Sequence, residues 1–431
     1  MKYAPEDSLK KYSIESVKGN VSFDASIKGI VSDSVQPRVD LLLSLKQGEV
    51  LTSRYPALRS VSFVVNATNG ERQNEQTTKI DIRDFRFSTG RSNADLNISG
   101  NNLERIRYDI KSNIDIFIPD FKQFIPDSLI KEIGGNITAQ FSTKGVMPDS
   151  INDDYFEYLL QTSRANITFS DLNVSMDSLP EIKSFSGTFN YQPNQFDASK
   201  VSVSIPDYHV SIKNSSFNTL LSGNLLQPEK TSIDVTSFTF NTDSSRFTGK
   251  ASFQNLTAPT YSINTKIELN LAEVKNMLPD SLISDMSGVV TSTITSSGTL
   301  NMDSITEKIN DIVFKSSSFT INMNKVSVAM PDTLMCVSNL SGGVNIVPDT
   351  ITVDRLSGRY KNIDFGASKV KVVNMYNTIF KNMHEQLYVE GAFNLGDIDY
   401  SYFAPLIDTT SQVRMKRQLL TRITLPITRK I

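Results

Sequence analysis

The chain predicts a mainly β protein: an elongated, repetitive antiparallel sheet with a few short helices. Three observations carry that expectation. Apolar and polar residues alternate with period two, as in "GNVSFDASIKG" from Gly19, which gives a strand one apolar face. The intervening segments are rich in Ser, Thr, Asn, Asp, Gly and Pro, the residues of turns. A long stretch of sequence also occurs twice. At 431 residues the chain exceeds the roughly 250–300 residues that one compact core supports, so several units or an array are expected.

The repeat is plainest between "FIPDSLIKEIGGNITAQFSTKG" (Phe124 to Gly145) and "MLPDSLISDMSGVVTSTITSSG" (Met277 to Gly298), identical at 8 of 22 positions and 153 residues apart. The offset holds upstream. "KIDIRDFRFST" at Lys79 falls on "SIDVTSFTFNT" at Ser232, and "YDIKSNIDI" at Tyr108 falls on "YSINTKIEL" at Tyr261. Downstream, with small gaps, "LNVSMDSLPEIKSFSGTFN" at Leu172 resembles "VSVAMPDTLMCVSNLSGGVN" at Val326. A partial third copy opens the chain, where "GNVSFDASIKGIVSDS" at Gly19 aligns with "GNITAQFSTKGVMPDS" at Gly135. Such repetition implies a quasi-linear array. The units read as 1–35 (the tail of a first repeat), 36–150, 151–304, 305–410 (a partial repeat) and a tail at 411–431.

In order along the chain, Val21, Phe23 and Ile27 form one apolar strand face, repeated as Ile137 and Phe141 and again as Val290 and Ile294. Glycines near both ends of these segments, Gly19 and Gly29, Gly135 and Gly145, Gly288 and Gly298, are expected to punctuate the strands. Ile80, Ile82, Phe85 and Phe87, with their counterparts Ile233, Val235, Phe238 and Phe240, form a second face. The slip between Ile82 and Phe85 predicts a bulge that keeps both pairs on one side. "DFKQFIPDSLIKEI" and "EVKNMLPDSLISDM" predict short helical pieces around Pro-Asp-Ser, with Asp or Ser as cap. "DDYFEYLLQ" and "NTIFKNMHEQL" are two further helix candidates.

Composition narrows the function. The formal charge is −2 and the pI about 5.9, which argues against nucleic acid as the main partner. A single cysteine, Cys336, allows no internal disulfide. Nothing approaches the ~20 apolar residues of a membrane span, and the opening "MKYAPEDSLKKYS" lacks the apolar centre of a signal peptide. His209 and His384 stand far apart and near no cysteine or paired-acid motif. No metal-ligand spacing, nucleophile elbow, phosphate loop or dinucleotide fingerprint occurs, so neither a cofactor nor an enzymatic activity is expected. Asp-Ser/Thr followed by an aliphatic residue recurs at Ser8, Ser34, Ser128, Ser150, Ser178, Ser281, Ser304, Thr333 and Thr350, where turn chemistry accounts for it.

The order of "SFSGTFN", "IDVTSFTFNTDSSRFTGKASFQNL", "YSINTKIELNLAEVKNMLPDSL" and "SGVVTSTITSSG" resembles the AsmA-like proteins of the Gram-negative envelope, TamB-like and Bacteroidota members included, from Pro5 to about Leu406. The resemblance implies an antiparallel sheet curled into a groove with an apolar interior. The protein would lie in the periplasm, with an inner-membrane anchor absent from this chain. It would bind phospholipid acyl chains, support lipid transport between the membranes and outer-membrane biogenesis, and meet inner- and outer-membrane proteins at its two ends. Val21, Phe23, Ile27, Ile80, Ile82, Phe85, Phe87, Ile137, Phe141, Ile233, Val235, Phe238, Phe240, Val290 and Ile294 would line the groove. The Asp-Ser motifs look like the O-glycosylation signal of exported Bacteroidota proteins, which points to Ser128, Ser150, Ser178, Ser281 and Ser304.

The alternation by itself favours a sheet sealed by a second layer of the same protein, as in a structural or adhesive repeat protein of the envelope, and it is the resemblance that turns the reading toward a groove. A hydrolase would need a convergent acid pair or nucleophile that the sequence does not offer. The tail "SQVRMKRQLLTRITLPITRKI" holds Arg414, Lys416, Arg417, Arg422, Arg429 and Lys430 and no acid. It reads as a poorly packed end, or as a basic segment for anionic headgroups.

Overall fold

The computed structural model describes residues 13–32, 36–53, 56–126, 130–176, 179–223, 226–300, 311–312, 314–331, 336–376, 387–397 and 425–426. They are mainly β, and the chain separates into two compact units, Met1–Gln227 and Pro228–Ile431.

The first unit is an antiparallel meander in which each strand pairs with the next. Its strands are β1 (Ile14–Lys28), β2 (Arg38–Thr52), β3 (Leu58–Thr68), β4 (Lys79–Thr89), β5 (Ser92–Asn101), β6 (Arg107–Phe117), β7 (Glu132–Val146), β8 (Ser163–Ser175), β9 (Ile182–Gln192), β10 (Gln195–Ile205) and β11 (Val210–Ser222). The second unit is built the same way from β12 (Ser232–Asn241), β13 (Arg246–Gln254), β14 (Thr260–Asn270), β15 (Asp285–Thr299), β16 (Ser317–Ala329), β17 (Cys336–Val347), β18 (Thr350–Tyr360), β19 (Ile363–Val373) and β20 (Tyr388–Leu395). The two-residue β21 (Leu425–Pro426) pairs with β20. Tight hairpins join neighbours where the chain can enter the left-handed region, as at Gly90 (φ 55), Asn194 (φ 64) and Lys361 (φ 53).

The 153-residue repeat is an eight-strand block: β4–β11 recurs, strand for strand, as β12–β19. The expected slip is present in both copies, with the β4–β5 register shifting between Ile82 and Phe85 and the β12–β13 register between Val235 and Phe238. Three further bulges mark equivalent places. Gly19, Gly135 and Gly288 interrupt the registers of β1–β2, β7–β8 and β15–β16 at φ +154, +106 and +102. Facing them, Gln47, Asp171 and Lys325 also take positive φ, of 54, 49 and 50. These glycines therefore do not end the strands, as the sequence suggested, but lie inside them. A Cβ on Gly135 would sit 2.6 Å from the Asp171 carbonyl oxygen, and one on Gly288 2.6 Å from that of Lys325. The register demands close backbone approach there, which only glycine permits.

Among the described residues the short helices are α1 (Asp153–Thr162) and α2 (Leu271–Asn276), and residues 311–312, 314–315 and 375–376 are helical as well. The first matches the expectation at "DDYFEYLLQ". Its cap is Asn152, whose side chain accepts from the Tyr155 amide at 3.1 Å. In the first Pro-Asp-Ser segment a 3₁₀ turn spans Ile118–Phe124, and residues 127–129 lie outside the described residues. In the second the helix, α2, lies earlier than expected and ends before Pro279. Asn270 caps α2 by accepting from the Ala272 amide at 3.1 Å. The last two residues of each segment, Glu132 and Ile133, and Asp285 and Met286, open β7 and β15. Of "NTIFKNMHEQL", residues 377–386 lie outside the described residues, as do 1–12, 398–424 and 427–431.

Candidate functional site: an apolar sheet face

Directly opposed residues of antiparallel strands point to the same side of a sheet, so the registers show which apolar residues share a face. In the first unit, Phe23, Leu43, Val65, Ile82, Ile98 and Ile110 stand in one unbroken row from β1 to β6. A parallel row on the same side runs Phe87, Ala94, Ile114, Ala139, Ile167, Phe189, Ala198, Phe217 from β4 to β11. The second unit repeats it as Phe240, Phe247, Ile267, Ser292, Ile321, Val344, Val353, Val370.

The predicted residues join these rows within each unit. Val21 and Ile27 flank Phe23 and oppose Leu45 and Val39, and Ile80 and Phe85 accompany Ile82 and Phe87. Ile137 and Phe141 flank Ala139 on β7. In the second unit Ile233, Val235 and Phe238 oppose Phe253, Ala251 and Gly249, while Val290 and Ile294 oppose Leu269 and Thr265. The missing side chain at Gly249 is filled by Phe238, whose ring comes within 2.9 Å of where a Cβ would stand.

The face is only partly covered. None of the fifteen predicted residues is buried, and Val21, Phe23 and Ile27 are 67, 66 and 66% exposed. Among the described residues ten apolar side chains are buried, Val61 and Ala198 in the first unit and eight in the second, Tyr261, Leu271, Val353 and Val370 among them. At one end of the first unit the face forms a recess of about 510 Å³, lined by Ile14 of β1, Val50, Leu58, Phe87, Ala94 and Ile116 of β6, with Phe121 of the 3₁₀ turn against it. On a flat sheet β1 and β6 would be separated by five strand spacings, about 24 Å at ~4.8 Å each. Their meeting around one recess requires the sheet to curve toward its apolar side.

Aromatic rings thicken the face across β8–β11, where Phe169 lies 5.4 Å from Phe185 and 5.5 Å from Phe189, and Phe196 lies 5.7 Å from Phe217. At the opposite end of the strands α1 lies against β7 and β9. The Tyr155 hydroxyl donates to Tyr108 at 3.3 Å, the Val146 amide donates to the Tyr158 hydroxyl at 3.1 Å, and the Tyr191 hydroxyl donates to the Leu160 carbonyl at 2.8 Å. Burial, and then the Tyr155 hydroxyl, push the Tyr108 phenol up to about 12.

A carboxylate ties down the other end in each copy. Asp120 accepts from the Arg91 and Ser92 amides at 2.7 and 2.8 Å and from the Ser92 hydroxyl at 2.7 Å. Its counterpart Glu273 accepts from the Asp243 amide at 2.9 Å and from the Thr242 and Ser245 hydroxyls at 2.8 and 2.6 Å. Burial works against both anions. Hydrogen bonds from Ser92 and from Ser245 and Thr242 outweigh it, so both carboxyls ionise below the usual range.

The opposite face is polar. Asp81, only 8% exposed, accepts from the Ser99 hydroxyl at 2.6 Å and pairs with Lys79 at 3.0 Å and Arg83 at 3.5 Å. The Asn136 amide donates to Asp115 at 2.7 Å. Of the predicted modification sites, Ser150 lies in an exposed bend and Ser281 in an exposed turn, while Ser128, Ser178 and Ser304 lie outside the described residues. Thr350 opens β18 half-buried, and His209 occupies an exposed turn at φ 53. Cys336 is half-buried at the start of β17. Among the described residues no helix is long and apolar enough to cross a membrane.

No family model, curated protein or solved structure matches the chain. Sequence reasoning missed a large part of it: Leu41, Leu43 and Leu45 of β2, Phe63 and Val65 of β3, and the phenylalanines of β8–β11. The period-two leucines of "DLLLSL" were the available signal.

Proposed function

We propose that the chain is an AsmA-like envelope protein whose sheet face binds phospholipid acyl chains and supports their passage through the periplasm between inner and outer membrane. The observation that carries the reading is an apolar surface continuous from strand to strand in each unit, yet half-open to solvent. A structural protein with self-packed sheets buries such a face under a second layer. Here the large side chains stay accessible, which suits a surface completed by a transient apolar ligand. The curvature around the recess favours a groove over a flat platform. Each methylene removed from water contributes about 0.8 kcal/mol, so two bare lipid tails in water cost on the order of 20 kcal/mol, and an unbroken apolar strip lowers that cost along the path.

The test is mass spectrometry of organic extracts from the chain purified after export to the periplasm. Phospholipid should co-purify and be lost from Phe141→Asp and Ile294→Asp variants that remain folded. A folded, lipid-free protein would sink the proposal and leave the structural reading in its place.

A further inference from the structure

The polar side of the first unit carries a concavity of its own. It is a depression of about 660 Å³ across β6–β10, lined by Lys111, Asn113, Gln140, Ser142, Arg164 and Asn190 among others. The registers set its polar side chains in two rows, both turned away from the apolar face. One row runs Asn113, Gln140, Asn166, Asn190, Asp197 from β6 to β10, and the other Lys111, Ser142, Arg164 from β6 to β8. Lys144 lies two residues beyond Ser142 on β7, opposite Asp109. Asn166 donates to Asn190. Lys111, Asn113, Gln140, Lys144 and Arg164 are exposed, and among the described residues none of their side chains enters a hydrogen bond or ion pair. The second copy lacks the three cations. Asn264, Ser297 and Ser318 stand in place of Lys111, Lys144 and Arg164, and the longer row becomes Lys266, Thr293, Thr320, Asn345, Thr352. The fold therefore does not require positive charge at these places.

We infer that this depression binds an extended anionic glycan with a carboxylate on every second sugar. Neighbouring strands lie ~4.8 Å apart, close to the length of one pyranose in an extended β-linked chain, so a glycan laid across the strands brings one sugar to each. Lys111 on β6 and Arg164 on β8 are two strands apart, about 9.6 Å, which matches carboxylates on alternate sugars. A guanidinium holds a carboxylate through paired hydrogen bonds. Between the cations, the carboxamides of Asn113 and Gln140 offer donors and an acceptor each to hydroxyl or acetamido groups. Asp109, Asp115 and Asp197 on the same side disfavour a polymer with a phosphate at every residue, and the two rows hold no apolar side chain to enter a bilayer. Such binding uses none of the groups of the apolar face and does not rest on lipid binding.

The test measures the fluorescence anisotropy of a labelled hyaluronan hexasaccharide, which carries a carboxylate on every second sugar, with the full chain at low ionic strength. Saturable binding is expected, weakened roughly tenfold by Lys111→Gln and likewise by Arg164→Gln, and unchanged by Lys266→Gln in the second copy. Chitohexaose, an uncharged β-linked chain of the same length, should compete at least roughly tenfold more weakly. No saturable binding, equal competition by chitohexaose, equal weakening by Lys266→Gln, or tighter binding to anionic phospholipid vesicles or single-stranded DNA would each overturn the inference.

Discussion

Ser292 is a hydroxyl on an apolar face. Its Oγ is buried without a hydrogen-bond partner, and the equivalent residue in the first copy is Ala139. A buried unsatisfied hydroxyl costs roughly 1–3 kcal/mol, so Ser292→Ala should leave stability unchanged or raise it by about 1 kcal/mol, read by urea denaturation. The paired carboxylates make the opposite case. Asp120 and Glu273 ionise below the unfolded value near ~4, so their stabilisation is present above that pH and lost as pH falls through the folded values. Glu273→Gln should cost about 1–2 kcal/mol at pH 7 and flatten the acid branch of stability as pH falls below ~4. An unchanged acid branch would mean that the Glu273 hydrogen bonds do not hold the strand ends together. Tyr108 titrates the other way. With a folded value of about 12 above an unfolded value near ~10, its contribution is intact below pH ~10 and lost as pH rises through 12. Tyr108→Phe should remove one late phenol from the ultraviolet titration of the folded protein.

Elements were legible where the signal is local. Alternation marks strands because every second residue shows the face, and the slip from Ile82 to Phe85 marks a bulge because two apolar pairs fall out of step within one strand. The glycine bulges were illegible for a physical reason. Glycine serves both a turn and a close backbone approach, and only the facing strand, with Asp171 or Lys325 at positive φ, distinguishes them. The second helical piece was displaced because Asn270, rather than the conspicuous Pro-Asp-Ser, supplies the α2 cap. At this scale Gly135→Ala places a Cβ against the backbone of Asp171 and Leu172 and should cost on the order of 2 kcal/mol, whereas Gly100→Ala, whose nearest neighbour is 3.9 Å away, should cost well under 1 kcal/mol. Comparable losses at the two positions would contradict the assignment of Gly135 to a bulge.

For the whole molecule, the apolar side chains within each unit were found one strand at a time, from the residues that recur between copies. Their continuity was not legible, since it depends on registers such as Leu43 opposite Val65 that no single strand encodes. The eight-strand block has a further consequence for how such a chain can change length. Strand direction and side-chain orientation both have period two, so an even number of strands returns the chain to the same heading with the same side facing the same way. The opening copy fits this rule. There β3 follows β2 directly and leads into β4, while β8 is followed by β9, β10 and β11 before β12. The positive φ of Ser60 and Asn214 matches β3 to β11, so the opening copy is shorter by one hairpin. Losing or gaining a hairpin preserves polarity; losing a single strand would reverse every one that follows. Lengthening or shortening by hairpins is thus the parsimonious evolutionary route for this architecture.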